Sequence, residues 1–339
     1  MGAWKYLRQQ DLYCSALFGS GIYIWEGNRT RDPLTGREVP LLVSLVTGEA
    51  FFLRTGGAGC RKMVRKPPGR ESILWPSDCL RLEKERGEAL FSPSEETLLP
   101  EDVLLFPHGT YPAVVSGQQR LAQISGPSWK KPEVRRLAAE LLQAVESVNR
   151  GGYLFIDIHP ARFYVTGEDR VCLDFSEWIV PLTGGGDRTP EGCPPLEFAD
   201  PALVQGRIAR ADARSQNYSL CALLFYLFLG RYAYDGRLMR GYPDDTPQRH
   251  YLKFRDYCRM PVFIFDREDS RNRLGTFGEQ QQAIQLWEEL PENLRVMFSR
   301  TLCQGNAERT LPGYYPPPGE WLARFRELGW LEEREEARG

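Results

Sequence analysis

The sequence contains little lysine. Of its 43 basic residues, 7 are lysines and 36 are arginines, and 45 acidic residues bring the formal net charge to −2. A chain without a basic excess is a poor match to proteins that bind nucleic acid through the phosphate backbone. With 42% hydrophobic and 26% charged residues, the composition is that of a globular protein. It excludes a disordered scaffold, and the 339 residues predict two units, or one domain with two lobes.

Patterns typical of metal sites, secretion and membrane spans are missing as well. The eight cysteines form no CxxC pair and there are only three histidines, so the sequence predicts no zinc site. The first residues lack the basic and apolar regions of a signal peptide. The longest apolar run, LCALLFYLFL at 220–229, is shorter than the ~20 residues of a membrane span. We therefore expect reduced thiols, a cytoplasmic location and no membrane contact.

Short β-like runs separated by turn residues fill the first third of the chain. They are LFGSGIYIWEG at 17–27, PLLVSLV at 40–46, AFFLRT at 50–55 and DVLLFP at 102–107. The glycines, asparagine and prolines between them indicate an antiparallel sheet. One short helix is also expected in CRKMVRK, before Pro67.

The pattern becomes helical from Pro132 onwards. The stretch to Asn149 has apolar residues at helical spacing, and Gly151 with Gly152 provides the stop signal. The apolar positions are Val134, Leu137, Leu141, Ala144, Val145 and Val148. Three short strands at 153–158, 162–165 and 170–175 follow, and then helices at 217–229, 279–290, 292–304 and 319–328. The sequence thus predicts an α+β protein with a small β-rich lobe at 1–107, a larger helical lobe at 108–331 and a charged tail at 332–339.

The most informative segment is YLFIDIHPARFYVTGEDRVCLDFSEW at 153–178. It places one aspartate before a hairpin and a second before a phenylalanine after that hairpin, and here the sequence resembles the protein kinase superfamily. In that family the first aspartate orients the acceptor hydroxyl and the second holds magnesium on the phosphates. The resemblance assigns these positions to Asp157 and Asp174, and it implies a bilobal kinase-like fold.

Four further segments resemble, in the right order, one bacterial branch of kinase-like proteins. They are MVRKPPGRESILWPSDCL at 63–80, LEFADPALVQG at 196–206, SQNYSLCALLFYLFLGRYAYDGR at 215–237 and PVFIFDREDSRNR at 261–273. Members of that branch are often encoded beside PP2C-type phosphatases and von Willebrand A proteins. The resemblance therefore implies a bacterial signalling protein, with a protein of one of these two kinds as its partner.

Several positions depart from the family pattern. Arg54 holds the place of the lysine that contacts the nucleotide phosphates, and a planar guanidinium does not substitute for a compact ammonium. Gln216 replaces the aspartate that anchors the catalytic loop, while Phe155 and Ile156 replace His-Arg. The residues Gly19-Ser20-Gly21 lie where a glycine-rich phosphate loop belongs, but Ile24 occupies its third glycine position. Such a motif is either a phosphate loop or only a turn.

Arg162 stands where the family has a metal-binding asparagine, and two roles are open. Its guanidinium can pair with Asp174 and neutralise the charge that magnesium would compensate, or it can clamp nucleotide phosphates without a metal. We favour the first. His159 follows Asp157 by two positions, but no serine or cysteine nucleophile accompanies it in a recognisable context, so we interpret it as a polar loop residue.

Two functions from different classes follow from these residues. The first is a pseudokinase, a degenerate kinase-like scaffold or regulator without phosphoryl transfer, for which no cofactor is expected. In that case Asp157 is a vestige of the catalytic loop, and Gly19, Gly21, Arg54 and Arg162 are weak candidates for cofactor binding. The second is an enzyme that transfers a group from ATP with magnesium, using Asp157 and Asp174.

Overall fold

An antiparallel sheet occupies the N-terminal third of the chain. The structure is a computed structural model that describes residues 10, 12–14, 21–55, 77–82, 101–109, 111, 113–173, 179–182, 195–208, 211–239, 261–275, 278–303 and 314–331. The strands are β1 (Leu12–Cys14), β2 (Ile22–Ile24), β3 (Arg29–Arg31), β4 (Glu38–Ser44), β5 (Ala50–Thr55), β6 (Asp78–Leu82) and β7 (Glu101–Pro107). Their order in the sheet is β1-β2-β4-β5-β7-β6, and β3 pairs with β4 as an additional hairpin.

The two faces of this sheet have different neighbours, because side chains alternate along each strand. In β5, Phe51 and Leu53 point to one face, where they join a small cluster with Leu105 of β7. Phe52 points to the other face and belongs to the large core that the helices also form. Arg54, two residues after Phe52, lies on that same face. The alternation thus directs the Arg54 guanidinium toward the helical part of the molecule.

Helices and two small sheets form the rest of the protein. The helices are α1 (Gly117–Gln123), α2 (Pro132–Arg150), α3 (Pro201–Val204), α4 (Ala213–Leu229), α5 (Glu279–Glu289), α6 (Glu292–Leu302) and α7 (Pro318–Glu327). The strands are β8 (Val114–Ser116), β9 (Tyr153–Phe155), β10 (Phe163–Thr166), β11 (Val171–Leu173) and β12 (Ile179–Pro181). They pair in the order β11-β10-β8 and as β12-β9, and every pair is antiparallel. Two 3-10 turns lie at Arg237–Met239 and Ser270–Asn272.

The two longest helices follow from local sequence signals. Helix α2 begins with Pro132, which is tolerated in the first turn, and its C-cap is Gly151. All six apolar positions predicted for its inner face are buried. Helix α4 begins after a capping box in which Asp212 accepts from the backbone of Ser215, and it ends at Gly230, which has a φ of 67°. It is buried on nearly all sides, so the prediction of a core helix is confirmed.

The mixed α+β class is confirmed, with a strand-rich N-terminal region and a helix-rich C-terminal region. The strand predicted at 50–55 has those bounds, whereas β3, β8 and α1 were not predicted. The helix expected in CRKMVRK lies outside the described residues, and the lobe boundary near residue 107 stays a prediction. None of the helices in the described part of the chain combines the length and apolar character that a membrane span requires.

Gly117 provides a test of the packing between α1 and β10. A Cβ atom at this position would lie 2.2 Å from the ring of Phe163, which is buried. We expect Gly117→Ala to lower the free energy of unfolding by about 1–3 kcal/mol, because the ring would have to move within a close-packed core. Urea denaturation measures this loss. Gly167→Ala, where no atom lies within 4 Å of the added Cβ, is the control; equal stability of the two variants would contradict the packing described here.

Candidate functional site

The Arg54 guanidinium lies on the face of the N-terminal sheet that also carries Phe52, which we call the inner face, and it is paired with a carboxylate. Arg54 Nε donates to Asp32 Oδ2 at 2.6 Å, and Arg54 Nη2 donates to Asp32 Oδ1 at 2.6 Å. Both side chains are 4% exposed, so this is a buried, bidentate ion pair. The two donors that point at Asp32 are therefore not directed at an external ligand.

Asp32 lies in the turn between β3 and β4 and is held by several groups. Its Oδ1 also accepts from the backbone N–H of Leu34 at 2.9 Å and of Thr35 at 3.2 Å. Burial by itself would raise the pKa of Asp32, but the hydrogen bonds and positive charge of Arg54 outweigh it and hold this pKa below its ordinary value of 3.8. The carboxylate is therefore ionised near neutral pH and balances the guanidinium charge.

Aromatic side chains surround the Arg54 guanidinium. The rings of Phe52 and Phe106 stack with centroids 5.3 Å apart, and Tyr111 packs edge-on against Phe52 at 6.1 Å. The guanidinium carbon of Arg54 lies 5.5 Å from the centre of the Phe106 ring, a cation–π distance. Burial raises the pKa of Tyr111, and Arg54 partly offsets that rise. An aromatic ring of the protein itself thus lies beside the guanidinium on this face of the sheet.

A second buried carboxylate lies in the loop between β9 and β10. Arg162 Nε donates to Asp157 Oδ2 at 2.6 Å, and His159 Nε2 lies 3.4 Å from Asp157 Oδ1. The Asp157 side chain is 4% exposed, whereas that of Arg162 is 36% exposed. Arg162 thus covers the carboxylate from the solvent side. The imidazole is also engaged at its other nitrogen, because the N–H of Ala161 points to His159 Nδ1 at 3.4 Å.

The backbone of this loop is anchored by helix α4. The side-chain oxygen of Gln216 accepts from the backbone N–H of Phe155 at 2.8 Å, and both residues are buried. At the other end of the loop, the N–H of Gln118 donates to the carbonyl of Pro160 at 3.1 Å. A glutamine amide thus serves as the acceptor at the position where the motif resemblance leads us to expect an aspartate.

The remaining candidates are only partly described. Gly21 directly precedes β2, in the connection that follows β1, while Gly19 lies outside the described residues. Asp174 is also outside them, directly after β11. The pairing of Arg162 with Asp174 therefore stays a prediction; among the described residues, Arg162 pairs with Asp157.

One of the family-like segments serves to hold the chain together. In PVFIFDREDSRNR, the side-chain nitrogen of Asn272 donates to the carbonyls of Tyr234 at 2.9 Å and Val262 at 2.7 Å. Its side-chain oxygen accepts from the N–H of Leu238 at 2.9 Å. A single buried amide therefore ties three stretches of backbone together, and this motif requires no ligand to explain it.

The sequence does not identify Asp32 as the partner of Arg54. Asp32 precedes a Pro-x-x-Gly turn, which marks it as a turn residue. Nothing in that local signal identifies an ion pair with a residue 22 positions further on. The usable clue is that a strand arginine facing a core must be paired, because unpaired buried charge is costly.

The chain matches no protein-family model, and none of the curated proteins compared with it matches. Within the described residues, no three His, Cys, Asp or Glu side chains are grouped so that they could hold a metal ion. The geometry of the two arginine–aspartate pairs, Arg54 with Asp32 and Arg162 with Asp157, is therefore the basis for a functional assignment.

The Asp32 pair makes a prediction about pH. Because its pKa is lower in the folded protein than its ordinary 3.8, the stabilising contribution is complete above that value and is lost as the pH falls through the folded pKa. We expect the stability gap between wild type and Asp32→Asn to be constant from pH 7 to pH 5 and to narrow below about pH 4. Urea denaturation at each pH measures the gap. Glu38→Gln, which changes a carboxylate of the same hairpin that is 70% exposed, is the control; a gap that does not vary with pH would contradict the pair.

Gln216 makes a prediction about the loop. Gln216→Leu keeps the side-chain volume but leaves the buried N–H of Phe155 without its acceptor, so we expect a loss of ~1–3 kcal/mol of unfolding free energy. Chemical denaturation gives the value. The matched control is Gln281→Leu, at an exposed position of α5, which should change stability by less than about 0.5 kcal/mol. Equal effects of the two substitutions would show that the anchor contributes nothing.

Proposed function

We propose that this protein is a bacterial pseudokinase: a bilobal, protein kinase-like chain that binds a protein partner and does not transfer a phosphoryl group. Its small β-rich lobe and larger helical lobe would serve as a scaffold or regulator. The proposal builds on the motif resemblance, and the state of the two buried aspartates supports the loss of catalysis.

The observation that carries the proposal is the buried pair of Arg54 with Asp32. A kinase requires, at the position assigned to Arg54, a cation that reaches nucleotide phosphates. Here Nε and Nη2 of Arg54 each donate to the Asp32 carboxylate at 2.6 Å, and both side chains are buried. The stacked rings of Phe52 and Phe106 lie beside the same guanidinium. These contacts favour a site that no longer takes up nucleotide.

The state of Asp157 supports the same conclusion. A catalytic base must come within hydrogen-bond distance of the hydroxyl that it deprotonates. The carboxylate of Asp157 is 4% exposed and its Oδ2 accepts from Arg162 at 2.6 Å. An acceptor hydroxyl would have to displace Arg162 to reach that oxygen. In the proposed pseudokinase, arginine in place of asparagine thus removes a metal ligand and engages the base.

The proposed partner is a protein, either a PP2C-type phosphatase or a von Willebrand A protein, as the resemblance to the bacterial branch suggests. A phosphatase partner would fit a signalling system in which another protein supplies the kinase activity. Nucleic acid is a poorer partner, since the chain has a formal net charge of −2.

A second candidate is an atypical enzyme that transfers a phosphoryl or adenylyl group from ATP with magnesium, using Asp157 and Asp174. One observation favours it: Gln216 still anchors the loop that carries Asp157, at 2.8 Å from the N–H of Phe155. A loop held in this way keeps a defined geometry, as catalysis requires.

Two measurements on the purified protein separate these functions. Thermal unfolding is followed with ATP or ADP, each with and without magnesium or manganese, and a purified phosphatase or von Willebrand A protein is added with ATP labelled at the α- or γ-phosphate. For the pseudokinase we expect no nucleotide-dependent rise in melting temperature and no label transfer. Label transfer that disappears in Asp174→Ala would defeat the proposal and establish the enzyme.

A further inference from the structure

The hairpin of β3 and β4 delivers a fixed carboxylate to Arg54. The backbone N–H of Asp32 donates to the carbonyl of Arg37 at 2.9 Å, and its carbonyl accepts from the N–H of Gly36 at 2.8 Å. Gly36 has a φ of 68°, a left-handed conformation that glycine adopts without strain. The turn therefore fixes the backbone of Asp32 through contacts that do not involve Arg54.

Two further contacts hold the hairpin in place. The side-chain oxygen of Thr30 lies 3.2 Å from Nε2 of His108, which directly follows β7. Val39 of β4 is buried and belongs to the same core as Phe52. The turn that carries Asp32 is thus tied both to the end of β7 and to the core. Its carboxylate reaches Arg54 from a hairpin that is separately supported.

The contact between the two side chains has the geometry of ligand recognition. Two guanidinium donors meet two oxygen atoms of one oxyanion, which is how arginine binds carboxylate and phosphate groups. The pair is 4% exposed and lies beside the Phe106 ring, so water weakens the attraction less than it would at the surface. Any small oxyanion placed at the position of the Asp32 carboxyl would meet the same two donors.

We infer that Asp32 is an internal ligand: the β3–β4 hairpin fills an oxyanion site on Arg54, and a free carboxylate or phosphate binds there once the Asp32 carboxyl is removed. The hairpin then acts as a plug that keeps external anions from this site. The further inference that nucleotide once bound at this site rests on the proposed function. The anion site itself depends on the Arg54–Asp32 geometry alone.

The test is chemical rescue of Asp32→Ser. The serine hydroxyl can still accept from the backbone of the turn, while the space of the carboxyl becomes free. Thermal unfolding is measured in sodium acetate, sodium phosphate and sodium pyrophosphate, each compared with sodium chloride at equal ionic strength. We expect at least one oxyanion to raise the melting temperature of Asp32→Ser by on the order of 3 °C or more beyond the rise in the wild type, which reports only the general effect of that salt. The acetate and phosphate arms distinguish a carboxylate site from a phosphate site.

The double variant Asp32→Ser/Arg54→Met is the matched control, because it has the same vacated space without the guanidinium. Its melting temperature should rise with the oxyanions no more than that of the wild type, and a rise equal to that of the single variant would overturn the inference. So would a folded Asp32→Ser that no oxyanion stabilises more than it stabilises the wild type. Should the single variant not fold in chloride, its recovery on refolding is compared in chloride and in each oxyanion; recovery that depends on the oxyanion supports the site, and equal recovery overturns it. Nucleotide binding by the wild type tests the proposed function separately.

Discussion

A guanidinium enclosed by protein must have an anion beside it, and this constraint organises the inner face of the N-terminal sheet. Strand alternation in β5 directs Arg54 toward the core, where leaving its charge unpaired would cost several kcal/mol. Asp32 meets this requirement from a separate hairpin, with two hydrogen bonds of 2.6 Å. The position of β3 beside β4, the ionised state of Asp32 and the packing of Phe106 over the guanidinium are all linked to this pair.

The same chemistry recurs in the loop after β9. Arg162 pairs with Asp157 at 2.6 Å, as Arg54 pairs with Asp32. In both places an arginine stands where the kinase resemblance leads one to expect a residue that serves phosphate or metal. In both places its donors are directed to a carboxylate of the chain itself. The preference of this chain for arginine over lysine is therefore also seen at these two pairs. The planar fork of arginine suits a fixed carboxylate partner better than an ammonium does.

Much of the architecture was predictable because it depends on short-range patterns. The apolar spacing of α2, the capping box and terminal glycine of α4 and the short apolar run of β5 each specify an element within a few residues. Strands of three residues, such as β3 and β8, carry too little pattern to be recognised in this way. They form because neighbouring strands offer them backbone hydrogen bonds, which a single sequence does not reveal.

The sequence by itself determined the α+β class, the main helices and the identity of Arg54, Asp157, Arg162 and Gln216 as the positions worth examining. These properties are local or follow from an ordered set of motifs. Only the tertiary structure decided which groups those side chains meet: Asp32 for Arg54, Asp157 for Arg162 and the N–H of Phe155 for Gln216. The physical reason is that an ion pair or hydrogen bond depends on distance in space. Asp32 and Arg54 are 22 positions apart, and Phe155 and Gln216 are 61 positions apart; the folding of the sheet and the core brings each pair together.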